Sequence, residues 1–372
     1  MTNLDDKAPD SAPMTTGQTT TGSDSMDAGP WTGGLSQQVR WIILAVSLLA
    51  GLGVVMLLWG FSVLPVIIVS AIIYSVAIYL VSRAKEGPRH AADRLVTAVV
   101  TTMFLMALTP LLSVIWTIVS KGLNRLDVEF FTYSMRGVGV GDIGGAYHAI
   151  VGTLIVTSLA ALISIPIGIF AAIYLVEYGG KSRLAKGLTF FVDVMTGIPS
   201  IVAGLFAISL FTLFFGPAYQ AGIVGAVALS VLMIPVVVRS TEEMLRLVPN
   251  ELREASYALG VPKWLTVTKV VLPTAIAGIA TGVTLAIARV MGETAPLLIT
   301  MGAAKGMNFN PFEGSMSALP LFAYQSYASP GLNKQDSLDL VWSAALTLMA
   351  IVMVLNIVAR LISKYFAPKT GR

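Results

Sequence analysis

The stretch "NELREASYALGVPKWLTVTKVVLP", residues 250–273, is polar and helix-forming, and its surroundings decide the fold. Asn250 is a good N-cap, Glu251 sits in the first turn, Gly260 suits the position just past a helix end, and Pro262 stops the helix. Leu252, Ala255, Ala258 and Leu259 share one narrow apolar face, with Arg253 and Glu254 beside it. A helix this short is not stable alone and needs a partner surface. On either side lie apolar runs, about 220–240 and 274–302, each long enough to cross a bilayer. The stretch is therefore a polar loop joining two membrane spans.

Composition extends that reading to the whole chain. Of 372 residues 55% are hydrophobic and only 12% charged, with a mean hydropathy of +0.80. A soluble domain is about a quarter charged. Six further apolar runs, roughly 41–60, 63–82, 95–120, 148–176, 188–215 and 340–363, bring the expected spans to eight. The first two are separated by almost nothing and predict a helical hairpin over 39–84. Pro199 is expected to kink the fifth span and Pro235 the sixth. Residues 1–38, rich in Thr, Ser, Gly, Asp and Pro, predict a disordered tail without signal-peptide pattern, and 366–372 a short C-terminal tail.

Lysine and arginine set the orientation. With both termini cytoplasmic, 18 of the 24 basic residues fall in inner segments, five in outer loops, and Arg289 alone stays in the membrane. The basic residues form no tract, which argues against nucleic acid. The chain has no cysteine, and His90 and His148 lie far apart, so disulfide and metal chemistry have no support. "GVGDIG" (139–144) follows no strand and fails as a dinucleotide fingerprint, and "GGKS" (179–182) has Leu175 where a phosphate loop needs its first glycine. No cofactor is expected, and no ATP site of the chain's own.

Glu254-Ala255-Ser256, then Gly260, then Val270-Val271-Leu272-Pro273 resembles the "EAA" loop (241–273) of type I ABC importer permeases, departing at Ser256 for Ala and Val270 for Ile. "DVMTGIPSIVAGLF" (193–206), "VVVRSTEE" (236–243), "IARVMGETAPLL" (287–298) and "HAIVGTL" (148–154) are similar to the PstA branch, the phosphate-specific permeases. The resemblance implies an all-α polytopic fold. It consists of a six-helix MetI-like core over about 95–365, to which this chain adds the N-terminal hairpin. It also implies a transport subunit rather than an enzyme, set in a bacterial cytoplasmic membrane and in contact with its lipid. The implied partners are a second, PstC-like permease, two copies of a PstB-like ATPase and a PstS-like outer phosphate-binding protein. The loop residues Glu254, Ala255, Gly260, Leu272 and Pro273 would couple to the ATPase.

Arg289 and Glu293 stand inside the seventh apolar run, where ionisable groups are costly and functional by default. Counted from Pro273, Arg289 is about 24 Å along a helix, too deep to reach the inner surface easily. Arg before Glu at this spacing is the weaker order for helix stability. A phosphate offers several acceptor oxygens to a guanidinium fork that never deprotonates. The resemblance makes Arg289, Glu293 and Arg239 charged positions of the translocation path, with Glu293 holding Arg289 or competing with the anion. The alternatives are a neutralised structural pair at 289 and 293, a positive-inside anchor at Arg239, and a helix-end contact at Asp193. Other oxyanions such as sulfate or molybdate fit the same charge. An ion-coupled transporter with two inverted halves lacks a second broken span in the sequence. "SALPLFAYQSYA" (317–328) predicts a short amphipathic helix resting at the outer interface, available to a binding protein.

Overall fold

The computed structural model describes residues 35–60, 62–138, 144–180, 182–217, 219–331 and 333–366. Most of the expected N-terminal tail, residues 139–143 of the glycine stretch and the C-terminal tail after 366 lie outside the described residues. Among those described there is no strand, only an isolated bridge between Gly302 and Met316. The chain divides into two compact units, Met1–Leu111 and Leu112–Arg372.

The first unit holds the expected hairpin, α1 (Gln37–Trp59) and α2 (Val63–Glu86), together with the first part of α3 (Pro88–Gly122). Ser36 caps α1, its hydroxyl accepting from the Val39 N–H at 3.4 Å. Glu86, at the end of α2, fastens the unit. It accepts both arms of the Arg94 fork at 2.6 Å and the Ser82 hydroxyl at 2.5 Å, and the Leu35 N–H as well. The two arms of one guanidinium on one carboxylate fix the start of α3 against the end of α2.

The second unit carries the loop from which the sequence was read. A short α4 (Val128–Thr132) precedes α5 (Tyr147–Ile173), which ends in a π-helical turn, Tyr174–Tyr178. Then come α6 (Arg183–Thr196), α7 (Ser200–Phe215) and α8 (Gly222–Arg246). The loop contains α9 (Asn250–Ala258) and α10 (Lys263–Thr266), followed by a second π-helical turn, Val267–Val271. The chain continues through α11 (Leu272–Met291), α12 (Ala295–Thr300), α13 (Leu319–Ala328) and α14 (Lys334–Phe366).

Helix α8 is the axis of this unit. Its most apolar stretch is 61% buried, against 22% or less for the other apolar spans. Leu229, Met233 and Val237 from α8 pack with Ala286 and Val290 of α11 and with Leu297 of α12. Gly278 and Gly282 let α11 approach α8 closely. A Cβ at Gly282 would stand 2.6 Å from the Ser240 Cβ, and one at Gly278 would strike Met244. Small residues four apart at a helix contact serve this purpose within membranes.

Among the described residues seven helices are long and apolar enough to cross a membrane, or up to eight if α6 and α7 together form one span. The expected kink at Pro199 is instead a break, with α6 and α7 bent 109° from one another. Pro199 has no N–H to continue the α6 ladder and disfavours helical backbone at Ile198, so it opens α7 as the residue before its first turn. Helix α6 has two faces, burying Ala185, Val192 and Met195 and exposing Arg183, Lys186 and Asp193. Such a helix suits the membrane interface. Helix α8 runs through Pro235 without interruption.

The seventh run differs too. Helix α11 stops at Met291, and Gly292–Thr294 separate it from α12, whose first turn contains Pro296. Helix α13, expected to rest at the outer interface, is instead packed into the unit. Leu319, Leu321 and Phe322 are buried in the core, and the Leu319 N–H donates to Thr153 Oγ1 of α5 at 2.7 Å.

Candidate functional site

The loop helix α9 begins at Asn250, so its cap is Pro249, one residue before the expected position. Its end is built as expected. Gly260 has φ of +75°, its N–H donates to the Tyr257 carbonyl at 2.9 Å, and the Val261 N–H donates to the Ser256 carbonyl at 3.2 Å. This pair of bonds is a Schellman motif, which satisfies the last carbonyls of α9 and turns the chain toward α10. Glu254, Ala255 and Gly260 are exposed, as are Leu252, Ala258 and Leu259 of the expected apolar face. Leu259 is 84% exposed and Trp264, on α10, 62%. That is an uncovered apolar patch on an otherwise polar loop. Leu272 and Pro273 form the first turn of α11, after the second π-helical turn.

What holds α9 in place is Arg253. Its guanidinium donates to Glu177 Oε1 at 3.0 and 2.8 Å, to the Val248 and Leu245 carbonyls at 2.7 and 2.9 Å, and to Asn250 Oδ1 at 3.3 Å. Glu177 lies in the π-helical turn at the end of α5 and is only 8% exposed. One side chain thereby ties α9 to the ends of α5 and α8. The partner of Arg253 is 76 residues away, so no local pattern could single out Glu177. Ser256, one of the two departures from the EAA pattern, has its own role. Its hydroxyl hydrogen-bonds that of Thr266 at 2.8 Å, both residues buried, which joins α9 to α10.

Arg289 and Glu293 occupy the junction of α11 and α12. Arg289 is in the last turn of α11 and exposed, where a cation is favoured by the helix dipole. Glu293 is half-buried in the break, its N–H donating to the Val290 carbonyl at 3.1 Å. The helix does not continue between them, so the expected four-residue stacking on one face is absent. Neither side chain has a hydrogen-bond or ion-pair partner among the described residues. Gly292 supplies the helix end that the apolar pattern of the run concealed.

Arg239 is placed differently. Its fork donates to Glu242 at 2.7 Å and to Asp193 of α6, and Glu242 also accepts from Arg246. Glu242 is 4% exposed. The Asp193 contact joins α6 to α8, as its position at a helix end suggested. Arg239 is therefore saturated by carboxylates, whereas Arg289 is not.

Over residues 164–372 the chain matches the family described as binding-protein-dependent transport system inner membrane component. It is 45% identical over 276 residues to the phosphate transport system permease protein PstA 1 of Mycobacterium tuberculosis, covering 74% of this chain and 88% of that protein. The PstA of Mycobacterium leprae is 44% identical over 271 residues, 72% of this chain and 88% of its own. That of Pasteurella multocida is 42% identical over 248 residues, covering 67% and 86%. The chain thus belongs to the inner-membrane components of binding-protein-dependent transport systems and, within them, to the PstA permeases.

Proposed function

We propose that this chain is the membrane permease of an ATP-driven phosphate importer, and that phosphate is passed along a path on which Arg289 is the cationic station. The observation that carries the proposal is a guanidinium with no partner among the described residues, at a helix break within an apolar run. A bilayer does not tolerate such a charge without a polar lining or a counter-ion, and a passing phosphate provides one. Glu293, beside it in the break, would keep binding weak enough for release. Arg239 is better explained as a tie between helices than as a second station.

A single chain leaves Arg289 uncovered, so enclosing the path requires a second, homologous permease of the PstC type. The exposed face of α9 and the exposed Leu259 and Trp264 would receive a PstB-like ATPase, one of two copies. A PstS-like binding protein would deliver phosphate from outside. The preponderance of basic residues on one set of loops supports a cytoplasmic position for both termini and for α9.

The test is uptake by the assembled importer in proteoliposomes, with labelled phosphate, sulfate and molybdate offered separately. ATP-dependent entry of phosphate, uninhibited by a large excess of the other two, is expected. Entry of sulfate or molybdate in its place would overturn the substrate assignment.

A further inference from the structure

The first unit contains a half-open cavity of about 660 Å³, lined by α1, α2 and the first part of α3. Its lining is graded along its length. At the end where α1 and α3 begin stand Arg40, His90, Asp93 and Arg94. Further in come the hydroxyls of Ser47, Thr97 and Thr101, and deeper still the apolar Ile67, Leu48 and Leu105. From His90 to Leu105 a helix rises about 22 Å, which exceeds the roughly 15 Å depth of one leaflet's hydrocarbon by about a headgroup layer.

The charges at the mouth are not equivalent. Arg94 is neutralised by the two-armed bond to Glu86. Arg40 and Asp93 are exposed, and neither has a side-chain hydrogen bond or an ion pair among the described residues. What remains unbridged among the described residues at this mouth is the cation Arg40 and the anion Asp93, whose charge also acts on Arg94, above a hydroxyl-lined, apolar-ended slot. An inorganic anion would match the cation and leave the slot empty. An anionic lipid would match the cation and meet Asp93 unfavourably. A headgroup with a phosphate and an ammonium matches both.

We infer that this cavity binds an aminophospholipid of the inner leaflet, its phosphate on Arg40, its ammonium on Asp93 and an acyl chain running down toward Leu105. The leaflet rests on the proposed orientation, but the fit of headgroup and chain does not. Phosphate transport does not enter the argument, so the test is independent of it.

The full-length chain is extracted in a mild detergent supplemented with equimolar phosphatidylethanolamine and phosphatidylglycerol, and retained lipid is counted by native mass spectrometry. Wild type is expected to retain phosphatidylethanolamine in preference. Arg40→Gln should lower retention of both lipids by about fivefold, the effect of one basic residue on a lipid phosphate. Asp93→Asn should abolish the preference while retention persists. Both residues are exposed, so neither change threatens folding. Thr101→Trp, which fills the slot, should remove bound lipid whatever its headgroup. Equal retention in wild type and Arg40→Gln, or in wild type and Thr101→Trp, would overturn the site. So would millimolar inorganic phosphate displacing the lipid, which would assign the cation to the free ion instead.

Discussion

A guanidinium stays charged at any pH a cell reaches, so Arg289 must be matched by something in the assembled transporter. If that partner is phosphate, Arg289→Gln abolishes uptake, by more than about tenfold given the strength of hydrogen bonds to charged groups. Assembly and ATP hydrolysis should survive. Lysine should restore only part, since a point charge cannot grip two oxygens at once. The absence of an ion pair to Glu293 adds a further expectation. Arg289→Gln with Glu293→Gln should transport no better than Arg289→Gln alone. Recovery of uptake in the double variant would instead identify a neutralised structural pair. Arg253 presents the opposite case, a cation with its partner in place. Arg253→Ala strands Glu177, at a cost of ~3 kcal/mol for the buried carboxylate. Adding Glu177→Gln should return part of that loss, read as the thermal midpoint of the purified chain. Equal midpoints for the single and double variants would show that the pair does not hold α9.

The element that most depends on one backbone position is α9. Gly260 turns the chain with φ of +75°, yet a Cβ there would meet nothing within 4 Å. Substitution is therefore a test of backbone alone. Gly260→Val should lose stimulated ATP hydrolysis and transport, because a left-handed conformation costs an ordinary residue ~1–2 kcal/mol and a branched one more. Gly260→Asn, which tolerates that conformation, should keep most of both; equal loss in the two variants would place the requirement elsewhere. The sequence announced this turn because a Schellman end is local, specified by a glycine and a following proline. The apolar spans were legible for the same reason, as were the hairpin of α1 and α2 and the exposed face of α9. Breaks inside apolar runs were not. Gly292-Glu293-Thr294 is a polar interruption only three residues long, too short to divide the run on an average over a span, and Pro199 signals an interruption without its angle. The pairing of Arg253 with Glu177, and of Arg239 with Asp193 and Glu242, depends on tertiary placement that no spacing reveals. Arg289 could be singled out in the sequence, but its lack of a partner could not.

At the scale of the whole chain the open question is how many times it crosses. Helix α7 has 16 residues, about 24 Å, against a hydrocarbon core of about 30 Å. A shortfall of that size costs fractions of a kcal/mol per Å and is absorbed by local thinning of the bilayer. If α7 crosses, the chain has eight spans, its ends share one side and α9 lies with them. If α6 and α7 only dip into the membrane, every element after them is inverted. The loop of α9, with Arg246, Arg253, Lys263 and Lys269, would then face outward against the positive-inside preference. The chain has no cysteine, so single introduced thiols can decide between the two. Ser134→Cys, before α5, and Gly187→Cys, on α6, report the orientation common to both arrangements. Position 187 is preferable to Ser182, which caps α6, because Gly187 is exposed with open space around it. Ser329→Cys, after α13, reports whether α7 crosses. An impermeant thiol reagent applied from outside to intact cells should label positions 134 and 329 and spare 187. Labelling at 134 but not at 329 would mean seven spans and would move α9 out of reach of any cytoplasmic ATPase. Labelling at 187 would reverse the whole chain.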